Sequence, residues 1–189
     1  MAIHPTNAVS PIAGPAHSLA IASVVLLFLG ACGLSKRVAA VDRISFAAIV
    51  TYGFACAAVL IAAAIDGFAI PRMVARMARD LPANAHQWQI VIAGMFQINQ
   101  ACAQIFSVAA SGAIILWSVS AIRNGGFSRA IAFYGCIVAP LIIVGISIGH
   151  LRLDVHGMAI VTIAQVIWFI FVGWQMCARP NTSTSAPAA

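Results

Sequence analysis

Histidine and aspartate side chains recur at the ends of long apolar runs in this sequence. The stretch GISIGHLRLDVHGM, residues 145–158, holds two histidines, an arginine and an aspartate between apolar segments. Imidazole nitrogens and carboxylate oxygens can bind zinc, copper or non-haem iron. Alternating helices would bring one set of donors to the same outer side: His17, Asp66, His86, His150 and His156. An outer-face metal-dependent or redox membrane enzyme is therefore one hypothesis.

The spacing of these residues favours a plainer interpretation. No HxxxH or HExxH pair places two ligands on one helix face, and a loop is expected between His150 and His156. Histidine at the end of a span also suits a membrane–water interface. We therefore predict an outer layer of separate side chains, with no metal ligands, catalytic residues or cofactor. Residues 150–156 are then a short connection.

A second group of polar residues lies inside the third apolar run. Glutamines and serines recur there at spacings of three and four, so they share one face of a helix: Gln97, Gln100, Gln104, Ser107 and Ser111. An unpaired amide is costly in hydrocarbon, so we predict that this face points into the bundle. Candidate partners on other spans are Thr51, Tyr52, Tyr134, Ser147, Thr162 and Gln165. The stripe either bonds helices together or, with Gln165, lines a ligand cavity.

The elements that position these side chains must be membrane helices. The chain has 189 residues, of which 62% are hydrophobic and only 7% charged, whereas soluble domains keep about a quarter of their residues charged. The apolar runs are long and unbroken, which favours helices over a barrel. The net charge of +6 comes from basic residues between these runs, so it predicts anionic lipid and not nucleic acid as a partner. The five cysteines are isolated and are expected to be reduced.

Five runs are long enough to cross a hydrocarbon core about 30 Å thick. They cover residues 18–34, 44–66, 89–120, 128–149 and 157–177. Between Pro71 and Pro82, apolar residues and arginines fall on opposite helical faces, which predicts a short interfacial amphipathic helix on the outer leaflet. The expected fold is an all-α integral membrane bundle, with a single domain over 1–178 and a disordered tail over 179–189.

Basic residues in the short loops predict the orientation. With the N-terminus outside and the C-terminus inside, six basic residues lie on the inner side and four on the outer side. The inner six are Lys36, Arg37, Arg43, Arg123, Arg129 and Arg179, and the outer four are Arg72, Arg76, Arg79 and Arg152. A cleaved lipoprotein signal ending at LGAC, residues 29–32, is the alternative for the first run. The residues before that run hold no Lys or Arg, which favours a retained span.

One region is similar to a known group of proteins. The segment GAIILWSVSAIRNGGFSRAIAFYGCIVAP and a final span ending in GWQMCAR resemble a group of small, uncharacterised bacterial multi-span proteins that share a domain of unknown function. The resemblance covers about residues 110–179. It implies a helical bundle in the bacterial inner membrane and brings no activity with it.

Three hypotheses for the function follow from these patterns. The first is binding or transport of a small neutral or lipid-like ligand in a polar-lined cavity within the membrane. The outer-face enzyme is the second, and we favour it less. The third is an accessory subunit whose helices pack against a partner membrane subunit, and a homo-oligomer is compatible with each of the three.

Overall fold

The fold is an all-α bundle, as predicted. The computed structural model describes residues 13–38 and 43–178, and the predicted tail over 179–189 lies outside them. Within these ranges five helical segments are long and apolar enough to cross a membrane, so the chain is a multi-pass membrane protein. The α-helices are α1 (Ala13–Val38), α2 (Arg43–Ala64), α3 (Ile70–Met77), α4 (Ala85–Asn124), α5 (Arg129–Ser147) and α6 (Val155–Ala178).

The longest unit is an antiparallel hairpin in which α2 and α3 run along α4. Near one end Tyr52 packs edge-on against Trp117, with ring centroids 5.4 Å apart. Towards the other end Ile70 and Val74 of α3 are buried in one cluster with Ile92 of α4. As residue numbers rise along α2 and α3, those of the facing residues in α4 fall steadily. Both helices are therefore antiparallel to α4, and α3 continues the direction of α2.

A π-helical turn, Ile65–Ala69, joins α2 to α3 without breaking the helix. Pro71 follows it and has no backbone N–H to donate to the preceding turn, which favours a local widening of the helix. The turn also carries Gly67, where a β-carbon would lie 2.5 Å from the β-carbon of His17. Glycine therefore lets α1 cross the hairpin closely at this level.

The amphipathic helix predicted after Pro71 is present as α3, but its apolar side packs on protein. Ile70 and Val74 are buried, whereas Arg72 and Arg76 are exposed. Because α3 continues α2 and faces α4, its apolar side does not meet lipid as it would in a helix lying flat on the leaflet. Its position on the outer leaflet stays a prediction, and sequence periodicity identified its apolar face without identifying what covers it.

The ends of four helices at one end of the bundle carry basic residues, and we call this the basic end. It holds Lys36, Arg37, Arg43, Arg123 and Arg129. Polar contacts tie the helices together here. The Trp117 indole N–H donates to Ser35 Oγ at 2.9 Å, and Arg37 donates to the backbone carbonyl of Met176 at 2.7 Å.

The opposite end, called the far end, is uneven. The Gln100 side-chain amide donates to the backbone carbonyl of Leu153 at 3.0 Å, so the loop between α5 and α6 lies beside Gln100. From there α4 continues to Ala85, which is about 22 Å along the helix axis. The hairpin of α3 and α4 thus rises above the loop between the other helices.

The core lies towards the basic end and is aromatic. Trp117 and Trp168 stack with centroids 6.1 Å apart, and Phe127 meets Trp168 edge-on at 5.7 Å. Tyr52 and Phe169 complete the cluster at 5.4 Å from each other. These rings bring together α2, α4, α6 and the loop before α5, and thereby hold the walls of the site described next.

Candidate functional site

A buried amide near the middle of α6 joins this helix to α4. Gln165 is only 4% exposed. Its Nε2 donates to the backbone carbonyl of Ser107 at 3.2 Å and to Ser111 Oγ at 3.0 Å. Ser107 Oγ in turn donates to the carbonyl of Ala103, one helical turn earlier. Gln165 is thus held in one position, with its donors satisfied by α4.

A cavity of about 260 Å³ lies beside Gln165, and we call it the central cavity. Four helices contribute to its wall, which is mainly aliphatic and aromatic. Its polar groups come from Tyr52 and Cys56 on α2 and from Thr162 and Gln165 on α6. None of the lining residues is Asp, Glu, Lys, Arg or His. A mainly apolar wall with a few placed polar groups is typical of a small-molecule site.

A groove of about 520 Å³ runs between α1 and α6 next to this cavity, and we call it the lateral groove. The cavity and the groove share Leu27 and Phe169 in their walls. Gly30 and Gly173 also line the groove, and a β-carbon built on either would meet nothing within 4 Å. The two helices meet towards the basic end, where Arg37 bonds to Met176. Elsewhere the groove is open to the surroundings of the bundle.

The predicted polar stripe is divided by the packing. Ser107, Ser111 and Gln165 form the buried contact, and Gln100 is part-buried through its bond to Leu153. Gln97 and Gln104 are exposed, and neither bonds to another described residue. The expectation that all three glutamines face the interior was therefore wrong. The stripe spans roughly 80° of the helix, and α6 with its preceding loop covers only one edge of that arc.

The far-end histidines and aspartate are placed at two levels. His17 Nε2 lies 3.4 Å from Asp66 Oδ2, beside the π-helical turn. His150 lies in the loop that contacts Gln100, and His156 lies in the first turn of α6. His86, however, is near the start of α4, about 21 Å further out along the helix. The expected single layer was wrong for His86, because α4 extends far beyond the level at which the loop between α5 and α6 reaches it. Among residues 13–38 and 43–178, no three His, Cys, Asp or Glu side chains gather in a metal-binding group.

Sequence reasoning missed the α1 side of the site. Leu26, Leu27 and Gly30 carry no polar signal, and a span of such residues looks the same whether it faces lipid, protein or a groove. Tyr52 and Thr162 were considered only as partners of the glutamine stripe. The polar pattern could identify Gln165, but the apolar wall depends on how the helices are arranged.

The fold and these two spaces define a multi-pass α-helical membrane protein with an apolar cavity between its helices. No family model matches the chain, and no curated protein or solved structure is found to be similar to it.

Proposed function

We propose that the protein binds or transports a small neutral or lipid-like ligand held in the central cavity. The observation that carries this proposal is that the central cavity and the lateral groove lie side by side, with Leu27 and Phe169 in the walls of both. A ligand that reaches such spaces between two membrane helices comes from the hydrocarbon phase, so it is one that dissolves there.

The lining restricts the chemistry of this ligand. A charged group loses its hydration on entering such a space and needs an opposite charge in return. The lining of the central cavity supplies hydroxyl, thiol and amide groups only. The ligand class that fits is therefore an uncharged apolar chain or ring with a few hydroxyl, carbonyl or ester groups. These can exchange hydrogen bonds with Tyr52, Thr162 or Gln165.

We further propose that the bundle lies in a bacterial inner membrane with its basic end towards the cytoplasm. Five basic residues at one end support this orientation, because short cytoplasmic loops carry an excess of Lys and Arg. The sequence resemblance over about residues 110–179 supports the location in a bacterial inner membrane. In this orientation Met176 and Cys177 line the cytoplasmic end of the lateral groove.

Photolabelling in lipid nanodiscs tests the proposed function. The probe is a diacylglycerol that carries a diazirine in one acyl chain, and the comparison is an anionic phosphatidylglycerol with the same diazirine. The neutral probe should label peptides from α1 and α6, and excess unlabelled diacylglycerol should compete. Gly173→Leu fills the groove and should lower this labelling about tenfold, which corresponds to about 1.4 kcal/mol of binding.

The matched control is Gly14→Leu. Gly14 also has nothing within 4 Å of a built β-carbon, but it does not line the groove. This variant should label like the parent protein. Equal labelling of lipid-exposed sites such as Phe133, which is 54% exposed, would contradict the proposal. Labelling that Gly173→Leu leaves unchanged would contradict it as well.

A further inference from the structure

One face of α4 points away from the rest of the chain over five turns. Its residues recur at spacings of four and three and are all exposed; we call them the α4 face, which consists of Ile90, Gly94, Gln97, Ala101, Gln104 and Val108. Along it Gly94 and Ala101 alternate with Gln97 and Gln104, and the β-branched Ile90 and Val108 lie at its two ends. This spacing is that of the seam between two helices in a left-handed pair.

The α4 face is suited neither to hydrocarbon nor to water. In hydrocarbon, Gln97 and Gln104 would need partners, and neither bonds to another described residue. In water, the apolar members and their neighbours would be unfavourable: Ile90 is 60% exposed, Ile98 50% and Ile105 53%. Gln100, by contrast, is satisfied by the Leu153 carbonyl. A protein surface that supplies both amides and apolar contacts removes both mismatches.

The geometry points to a second copy of this chain as the occupant of the α4 face. A glutamine amide carries both a donor and an acceptor, so a row of glutamines is complementary to itself. Copies in one membrane share their orientation, and a twofold axis along the membrane normal places two α4 helices side by side and parallel. Gln97 then meets the partner's Gln97, and Gln104 meets the partner's Gln104.

The small residues on the face allow this approach. Gly94 has nothing within 4 Å of a built β-carbon, and Ala101 follows it one heptad later. Small residues at such spacing let two helix backbones come close enough for side-chain amides to bond. The face holds no charged residue, so a second copy brings no like-charge repulsion. The loop between α5 and α6 ends beside Gln100, which leaves the outer part of the face clear.

Association can be measured by fluorescence energy transfer between donor-labelled and acceptor-labelled copies in liposomes. The lipid-to-protein ratio is raised step by step. The wild-type protein should dimerise, and dilution in lipid should reverse it. Gln97→Leu with Gln104→Leu should weaken dimerisation about tenfold, since amide bonds between membrane helices contribute modestly each. The matched control is Gln89→Leu, an exposed glutamine on the same helix that lies outside the α4 face. It should leave dimerisation unchanged.

Disulfide cross-linking gives an independent measurement at the same face. With Cys177, the exposed cysteine among the described residues, replaced by Ser, Ala101→Cys should cross-link to itself in native membranes. Phe133→Cys on exposed α5 should not. A monomer at every lipid ratio would overturn the proposal, as would a Gln97/Gln104 double variant that dimerises like the wild type. Cross-linking of Ala101→Cys to a different polypeptide would also overturn it, because the α4 face would then contact a partner subunit and not a second copy.

Discussion

The side-chain amide of Gln165 donates a hydrogen bond to Ser111 Oγ at 3.0 Å and thereby joins α6 to α4. Both residues are buried, and Gln165 lines the central cavity as well. The same contact thus holds two helices together and orients a polar group at the edge of the proposed ligand site. Its contribution to folding can be separated from its contribution to binding.

A double-mutant cycle measures the folding contribution. Gln165→Leu and Ser111→Ala should each lower the free energy of unfolding, and their effects should not add, with a coupling of about 0.6 kcal/mol and at most about 1.7 kcal/mol. The measurement is reversible unfolding in mixed micelles. Ser147→Ala is the control, since Ser147 Oγ bonds within its own helix to Ile143. Additive effects of Gln165→Leu and Ser111→Ala would show that the bond is absent.

Close packing at Gly135 leads to a second prediction. A β-carbon there would collide with Ser118 Oγ and would lie 2.7 Å from Trp168 Nε1. Gly135→Ala should therefore destabilise the protein by about 1–3 kcal/mol, because α5 would be pushed away from α4 and α6. Gly112→Ala is the matched control: its β-carbon would meet Thr51 Cγ2 at an ordinary 3.7 Å. Equal stability of the two variants in the same unfolding assay would contradict the packing.

The turn between α3 and α4 should respond to acid through Asp80. The Trp88 indole N–H, the Leu81 backbone N–H and the Asn84 amide all donate to this carboxylate. These bonds, that of Trp88 first, hold the pKa of Asp80 below its ordinary value. The carboxylate therefore stabilises the turn above its unfolded-state pKa, near 3.9. That stabilisation is lost as the pH falls through the lower folded-state value.

Hydrogen exchange of the segment around Asp80 checks this dependence. Protection, corrected for the intrinsic exchange rate, should decrease as the pH falls below about 4. The Asp80→Asn variant should show weaker protection at neutral pH and little change on acidification. Asp154→Asn, at the other far-end loop, should behave as the parent protein does in this segment. An identical acid response in the parent and in Asp80→Asn would contradict the assignment.

The proposed orientation predicts the behaviour of reporter fusions. Green fluorescent protein fused after the last residue should fluoresce, because that end should face the cytoplasm with the basic residues. Alkaline phosphatase inserted beside Leu81 should be active. Exchange of Arg123 and Arg129 for Gln weakens the basic bias and should increase the inverted fraction. An active phosphatase fused to the C-terminus of the unaltered protein would contradict the proposed orientation and support the opposite one.

The extent of correct prediction differs between the helices and the site. Five spans could be identified because each needs its own run of apolar residues, whatever its neighbours are. Helix ends were less predictable. The third span was expected to begin at residue 89, whereas α4 begins at Ala85, and the second span continues through Pro71 into α3. Backbone hydrogen bonding carries a helix past the end of its apolar run, and apolar composition does not report this.

The glutamine stripe shows which part of the site could be read from the sequence. Helical spacing correctly grouped Gln97, Gln100, Gln104 and Ser111 on one face, and Gln165, named as a candidate partner of that face, does bond to Ser111. Spacing alone could not show that α6 covers only one edge of this face. Two of the glutamines consequently point outward, and they become the basis of the proposed dimer contact.

Composition by itself determined that this chain forms membrane helices, because so few charges cannot solvate a globule and each apolar run must bury its own backbone bonds. Only the tertiary structure decided that Gly30 and Gly173 leave a groove between α1 and α6, and that Tyr52 and Gln165 border one cavity. The reason is physical. Burial in hydrocarbon depends on each helix separately, whereas a cavity is the space left between helices and depends on how they pack together.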